Sequence, residues 1–358
     1  MTPMHATAIP EIAKRNIRPL RIVVMGTGPF AVPMFQALVQ SPHEIVGVVT
    51  RPNRAAAGRR PPTNPLREAA MAAGLSVLDP ERVNDDASVE AIRRLAPDLL
   101  VVCDYGQILS PSVLGTAAYG GINLHGSLLP RHRGAAPVQW AILEGDPITG
   151  VSVIRMTPTL DAGVVLVARA TPVYPRETAS QLEHLLAELG AGATLEAIER
   201  LQAAKSLNAA DTQCDPSSDD TIGTPQNPLH ATRAPRLTKA DGIVDWSLPA
   251  TRLERMQRAM DPWPRIATFL AGRISDHPPL RLVLEDVDVA GGDGAASNIR
   301  PGTVLAAGDD GIVVACGEGT SLVIRRLVPE GRRSMSAAEF LRGHSLLPGT
   351  ILSSGSTE

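Results

Sequence analysis

Asn123 and His125 stand two residues apart at the head of the run N-L-H-G-S-L-L-P-R-H-R-G, residues Asn123 to Gly134. If Gly121 to Leu124 is a strand, side-chain alternation turns both toward one side. A primary amide donates through its NH2 group and an imidazole donates or accepts, so the pair could hold a carbonyl oxygen as it gains negative charge. Gly126 permits a tight turn after them, and the apolar Leu128, Leu129 and Pro130 offer a dry wall. Either residue alone is more commonly a turn former or a satisfied polar group. The pair acquires meaning from where the chain puts it.

That place follows from the surrounding elements. Leu20 to Met25 reads as a short buried strand, followed by the turn G-T-G-P, a helical pattern from Phe30 to Gln40 and a second strand from Glu44 to Thr50. Strand-like runs at Leu99 to Cys103 and Gly121 to Leu124 alternate with helix-like stretches at Pro65 to Ala73, Ala87 to Leu95 and Ala135 to Glu144. Such alternation predicts an α/β fold with right-handed crossovers and a doubly wound, mostly parallel, Rossmann-like sheet. Ligands of these sheets bind beyond the carboxyl ends of the strands, which puts the loops after Met25, Thr50, Cys103 and Leu124 on one rim.

Thr178 to Ala204, rich in Leu, Ala and Glu, reads as a long helix closing this domain. Polarity then changes, because residues 206–235 include Asp215, Asp219, Asp220, Pro216, Pro225, Pro228 and Pro235, a composition that disfavours both helix and sheet. Beyond it come a helix at Ala250 to Met260 and short strands at Ala267 to Leu270, Leu280 to Val287, Gly302 to Leu305, Ile312 to Ala315 and Ser321 to Leu327. Short strands between Gly, Pro and Asp turns suggest a small Greek-key barrel. The expected division is an extension at 1–19, a first domain at 20–205, a linker at 206–231 and a second domain at 232–350.

Bulk properties narrow the function classes. A chain of 358 residues is long enough for two domains, and 44% hydrophobic with 20% charged residues suits buried cores. No apolar run approaches the roughly 20 residues that span a bilayer, so no membrane partner is expected. Cys103, Cys214 and Cys316 lie far apart and show neither a disulfide framework nor paired metal-ligand spacing, so a reducing cytoplasm and no metal are expected. Net charge is −3, with 19 basic and 22 acidic side chains in residues 1–224 and 15 of each in residues 225–358. Any nucleic-acid contact must therefore come from local clusters. Aromatics at 3% leave no stacking platform in the second half, which weighs against a non-catalytic RNA-binding module.

Arg51, Arg54, Arg59 and Arg60 form one local cluster, in an acid-free stretch directly after the second strand. Charge alone makes it a solvated loop. A different reading of this end of the chain starts from Gly26, Gly28 and Ala31, which match the G-x-G-x-x-A turn of dinucleotide enzymes. An NAD enzyme wants an acid near the end of the second strand, where Arg51 stands instead. Arg51 suits NADP, but that reading leaves Asn123 to Gly134 unexplained.

Asn123, His125, Ser127, Leu128, Leu129, Pro130 and Gly134 resemble the N-x-H-x-S-L-L-P-x-x-x-G signature of formyltransferases that use 10-formyltetrahydrofolate. Gly150, Ser152, Met156, Leu160, Asp161 and Gly163 resemble that family's downstream segment, which implies that Asp161 joins Asn123 and His125 as a catalytic set. The likeness extends from about Arg21 to Gly343 and takes in Tyr105 to Leu109, Arg133 to Gln139, Asp245 to Ser247 and Pro262 to Pro264. It is nearest to the members whose acceptor is methionyl initiator tRNA.

The resemblance implies an OB-like second domain and a folate site built from Tyr105, Gly106, Gln107, Ile108 and Leu109 with Ser127, Leu128, Leu129 and Pro130. It also implies that Arg51, Arg54, Arg59 and Arg60 meet the acceptor end of tRNA, which reverses the bland reading of that loop. Reduced folate and initiator tRNA are the expected partners of a monomer. A formyltransferase or hydrolase acting on another amine, or on water, is the rival reading, since its site could look the same.

Overall fold

The computed structural model describes residues 18–53, 63–210, 222–271, 278–291 and 298–355, the last six of the second stretch by their backbone alone. Arg54, Arg59 and Arg60 lie outside the described residues, as do residues 1–17 of the expected extension and 211–221 of the expected linker.

The first sheet takes its order from strands that are almost wholly apolar. β1 (Arg21–Gly26), β2 (Glu44–Val49), β3 (Val77–Leu78) and β4 (Leu99–Cys103) run parallel, and β5 (Gly121–His125) joins β4 in the same sense. α1 (Ala31–Val39), α2 (Pro65–Ala72), α3 (Asp86–Arg94) and the short α4 (Pro111–Leu114) make the crossovers. Asn64 and Ser110 start α2 and α4 by accepting the backbone N–H groups of Arg67 and Val113. β6 (Arg133–Gly134) and α5 (Pro137–Glu144) follow the Asn123 loop. Apolar alternation does not announce two further strands: β7 (Ile148–Arg155) adds antiparallel to β5, and β8 (Val165–Pro172) adds antiparallel to β7. The sheet order β3-β2-β1-β4-β5-β7-β8 reverses direction between β1 and β4, which opens a crevice at their carboxyl ends.

α6 (Ala179–Ala210) runs six residues past the expected end and packs on α1, β7 and β8. The segment after it is not a bare tether. Thr224 bridges to Val165, and β9 (Arg233–Ala234) pairs in parallel with β6.

The second domain is a curled antiparallel sheet of order β12-β13-β14-β11-β10-β16, a half-barrel of OB-like form covered by α7 (Ala250–Ala259). Its strands are β10 (Ile266–Leu270), β11 (Leu280–Val289), β12 (Val304–Gly308), β13 (Gly311–Ala315), β14 (Ser321–Pro329) and β16 (Leu352–Ser353). β15 (Met335–Ser336) pairs with β14 and leads into α8 (Ala337–Gly343), which a capping box between Ser336 and Glu339 begins. Register shifts around Asp286 and between Val304 and Ala306 bend the long strands, as bulges do.

The two domains share one core: Ile142 and Leu143 of α5 belong to the same buried cluster as Leu253 and Met256 of α7. Arg252 reaches the carbonyl of Leu143, and Arg258 donates to the carbonyl of Glu177 at 3.0 Å.

Candidate active site

A cavity of about 450 Å³ opens at the carboxyl end of the first sheet, within the roughly 300 to 1,000 Å³ that suits a small organic ligand. Phe30 reaches it from the turn after β1, Asp104 to Leu109 from the turn after β4, and Asn123 to Gly126 from β5 and the turn beyond it. The turn after β7 brings Leu160 and Asp161, and Glu183 and Arg236 complete the wall from α6 and from the stretch entering the second domain.

Asn123 and His125 lie on the strand end that their spacing suggested, and Asp161 lies beside them. The Nδ1 atom of His125 is 3.8 Å from Oδ2 of Asp161, with the two side chains 6% and 9% exposed. Asp161 sits in the left-handed region at φ +49° and accepts the Gly134 N–H at 2.9 Å. The other nitrogen of His125, Nε2, is 2.9 Å from the carbonyl oxygen of His132. A carbonyl only accepts, so Nε2 carries a proton and donates it there. In the neutral ring Nδ1 then holds the lone pair, and it faces the cavity side where Asp161 stands.

Tyr105, Gly106, Gln107, Ile108 and Leu109 all line the cavity. Gln107 ties this turn to the body of the domain by accepting the Val83 N–H at 3.1 Å. Burial raises the phenol of Tyr105 to about 12, with Arg51 pulling the other way, so the Arg51 charge bears on this same rim. Gly106, at φ +76°, has no side chain to cover its peptide groups. Apolar side chains beside uncovered peptides suit a flat ring with polar edges, as a pterin has.

Ser127, Leu128, Leu129 and Pro130, expected in the folate site, are not among the residues lining this cavity. Their polar groups are turned inward to hold the loop. Ser127 is fully buried and donates to the Arg131 carbonyl at 2.6 Å. Ser152 of β7 donates to the Ser127 carbonyl at 2.8 Å and accepts the Leu129 N–H at 3.1 Å.

Asp104 was not anticipated as a site residue. Its carboxylate lies so close to the G-T-G-P turn that a Cβ on Gly28 would come within 2.0 Å of it. Burial raises its pKa, opposed by Arg236 and by the Gly28 N–H. Glu183 is raised as well, by burial and then by Asp104. A carboxylate of the chain itself at the amino end of α1 takes the position where a dinucleotide enzyme seats its pyrophosphate. Two acids on that wall make an anion there costly, which counts against the oxidoreductase reading.

The formyl transferase family model matches residues 20–198, and the model of the formyl transferase C-terminal domain matches residues 236–345. The chain belongs to the formyl transferase family. This formyl transferase is 44% identical over 344 residues to the methionyl-tRNA formyltransferase of Rhodopirellula baltica, covering 95% of this chain and 98% of that protein. It is 40% identical over 341 residues to that of Geobacter sulfurreducens, covering 95% and 99%. Among solved structures it resembles WlaRD, a sugar 3N-formyl transferase, at TM-score 0.58 and 11% identity over 88% of this chain and all of that one. It also resembles HypX from Aquifex aeolicus in complex with tetrahydrofolic acid, at TM-score 0.54 and 19% identity over 90% of this chain, which spans 47% of HypX. At these identities the structural likeness concerns the fold.

The carbonyl that fixes His125 belongs to a formyl transferase loop with its own support. His132 is in the left-handed region at φ +61°, and its Nε2 lies 2.7 Å from Asp146, which also accepts from Nε of Arg131 at 2.7 Å. Burial pushes Asp146 up, but the hydrogen bonds from Arg131 and His132 outweigh it and leave its carboxyl below the usual range. Burial holds His132 below the ordinary histidine range, with Asp146 pulling upward. At neutral pH the ring is therefore neutral, and Arg131 supplies the positive charge beside Asp146.

On acidification the unfolded chain protonates His132 at a higher pH than the folded one. Stability from this residue is thus present above about pH 6.5 and is lost as the pH falls through and below it. The melting temperature of the parent is expected to drop more between about pH 7.5 and about pH 5.5 than that of His132→Gln, which does not titrate there. Parallel curves for the two proteins would assign the acid sensitivity to other groups.

Proposed function

We infer that the chain transfers the formyl group of 10-formyltetrahydrofolate to the α-amino group of methionyl initiator tRNA, the step that prepares this tRNA for translation initiation. The observation that carries the choice of acceptor is likeness to methionyl-tRNA formyltransferases through both domains, at 44% identity over 95% of the chain. The chemistry is supported by Asn123, His125 and Asp161 converging on one cavity.

Bound 10-formyltetrahydrofolate supplies the formyl carbon as an electrophile. An α-amino group has an unperturbed pKa of roughly 8, so a useful fraction is neutral and nucleophilic near physiological pH. The Asn123 amide donates to the oxygen that gains charge. His125, with Nε2–H committed to the His132 carbonyl, offers Nδ1 to the proton that the attacking nitrogen must lose. Once protonated, the ring presents an Nδ1–H between the developing oxyanion and Asp161, whose carboxylate stabilises the imidazolium. As the oxyanion collapses, the bond between the formyl carbon and N10 of the folate breaks, N10 takes the proton held by His125, and tetrahydrofolate leaves. Tyr105 and Gly106 to Leu109 bind the folate, and the Ser127 to Pro130 loop fixes the strand end from which His125 projects.

In this reading residues 20–205 carry the chemistry, residues 232–350 meet the tRNA body, and the chain works as a monomer in the cytoplasm. Among the described residues no helix is long and apolar enough to cross a membrane. The test is formylation by purified protein of methionyl initiator tRNA, set against methionyl elongator tRNA and free methionine. Equal use of all three would sink the assignment of acceptor.

Arg51 is exposed beside the cavity rim, where a guanidinium can pair with a phosphate. Replacing Arg51, Arg54, Arg59 and Arg60 together by Ala is expected to weaken tRNA binding while folate affinity stays constant. The logarithmic salt slope should flatten by roughly 0.7 to 0.9 for each phosphate that no longer meets a guanidinium. An unchanged slope would make the cluster a solvated loop and reopen the case for a small amine.

A further inference from the structure

We propose that the segment joining the two domains, Thr224 to Pro235, sets the geometry of the catalytic pair, with Gln226 and Thr232 as positioning residues. The proposal rests on the catalytic reading of His125 and Asp161 given above.

Gln226 uses both ends of its amide. Its Nε2 donates to the Asp161 carbonyl at 2.8 Å and to the Gly163 carbonyl at 2.7 Å, closing the turn that holds Asp161 at positive φ. Its Oε1 accepts from Arg133 through Nε at 3.1 Å and Nη2 at 2.6 Å. Arg133 is next to Gly134, whose N–H donates to the Asp161 carboxylate. One side chain therefore clamps the backbone under Asp161 and the strand that aims a donor at its carboxylate.

Thr232 acts on the other partner. Its hydroxyl accepts the His132 N–H at 2.8 Å, its carbonyl accepts the Arg133 N–H at 2.9 Å, and the His132 carbonyl is the group that fixes His125. The contacts continue with Ala234, whose carbonyl accepts the Ala136 N–H, and end at Pro235, whose carbonyl accepts the Trp140 indole at 2.9 Å. A Cβ on Gly134 would fall 2.4 Å from the Ala234 carbonyl, so the segment lies against the loop with no room between them.

Among the described residues the bond from the Gly134 N–H to the Asp161 carboxylate joins the His125 loop to the Asp161 turn, and the Thr224 to Pro235 segment spans both. Their 3.8 Å spacing is thus set from a part of the chain that also leads into the second domain.

The experiment compares Gln226→Met, which keeps side-chain length without a donor, Gln226→Ala and Thr232→Val with the parent. Asn227→Ala is the control, since that side chain only caps the short helix at Pro228–His230. For the Gln226 variants, kcat is expected to fall about a hundredfold, the order of loss that a displacement of about 1 Å causes, while KM for tRNA and formyl-folate stays within about twofold. Thr232→Val should act in the same direction.

In an Asp161→Asn background Gln226→Met should add little, because its effect passes through Asp161. Hydrogen exchange at the Gly134 amide should quicken in Gln226→Met and Gln226→Ala and not in Asn227→Ala. An equal further loss in the Asp161→Asn background, a change in KM alone, or unaltered Gly134 exchange would overturn the proposal. If the alanine variant fails to fold, the Met variant and the exchange measurement still decide it. A parent protein inactive on methionyl-tRNA would defeat the functional reading instead, and the exchange result would stand apart from it.

Discussion

Replacing His125 with Ala should yield a protein that folds, binds both substrates and turns over about a hundred to a thousand times more slowly. Loss of one well-aimed donor at a developing oxyanion costs roughly 3 to 4 kcal/mol in comparable sites. Here the ring also holds the proton released by the amine, so the upper end of that range is expected. Stability should fall too, since the buried His132 carbonyl loses its partner, a penalty of about 1 to 3 kcal/mol.

Asn123→Ala separates the two effects. Among the described residues no hydrogen bond engages the Asn123 side chain, so its removal should cost turnover with little change in melting temperature. Single-turnover formylation measured beside circular dichroism decides the matter. A loss of less than about tenfold in either variant, with unchanged spectra, would assign that residue to structure.

Asp161→Asn should be nearly as damaging while leaving the shape of the site intact. A unit charge 3.8 Å from a protonated His125 contributes roughly 4 kcal/mol at an effective dielectric constant of about 20, about a thousandfold in rate. Both side chains are almost wholly buried, so solvent screens the pair little. The asparagine can still accept the Gly134 N–H through its carbonyl oxygen, which keeps the turn closed. Folate affinity should therefore stay close to that of the parent while the chemical step slows. Collapse of folate affinity with a preserved single-turnover rate would move Asp161 from proton chemistry to binding.

Local periodicity made most of the fold legible, because α1, β4 and α7 differ from their expected spans by two residues or fewer. It did not reveal β7 and β8. β7 is buried on both faces from Thr149 to Ile154, so no alternation marks it, and Gly150 and Ser152 weaken its apolar signal. Ser152 is polar for a reason visible only in three dimensions, since it bonds the His125 loop from the neighbouring strand.

At the site, Asn123 and His125 could be read together because they share one strand end. Gln226 and Thr232 could not, since their partners lie 63 to 100 residues away and no local pattern records the contact. Composition is silent there, for Pro225 and Pro228 disfavour long helices and inner strands yet leave the polar side chains between and after them to bond loops of the first domain. Leu128 to Pro130 carry a structural task that their apolar character did not announce. An apolar run beside a reactive pair suggests a ligand wall, and in the structure Leu128 also lies over Gly150 of β7, where a Cβ would come within 2.7 Å of it.

The buried cluster that runs without a break from β1 to β16 bears on how damage spreads through the molecule. Two bodies joined by a common interior melt together, so neither keeps a reserve of stability that the other lacks. A substitution at Trp246 or Leu253, neither of which lines the cavity, would then lower the number of working molecules and leave each survivor with an unaltered rate constant. In a cell such a lesion would register as scarcity rather than as poor catalysis.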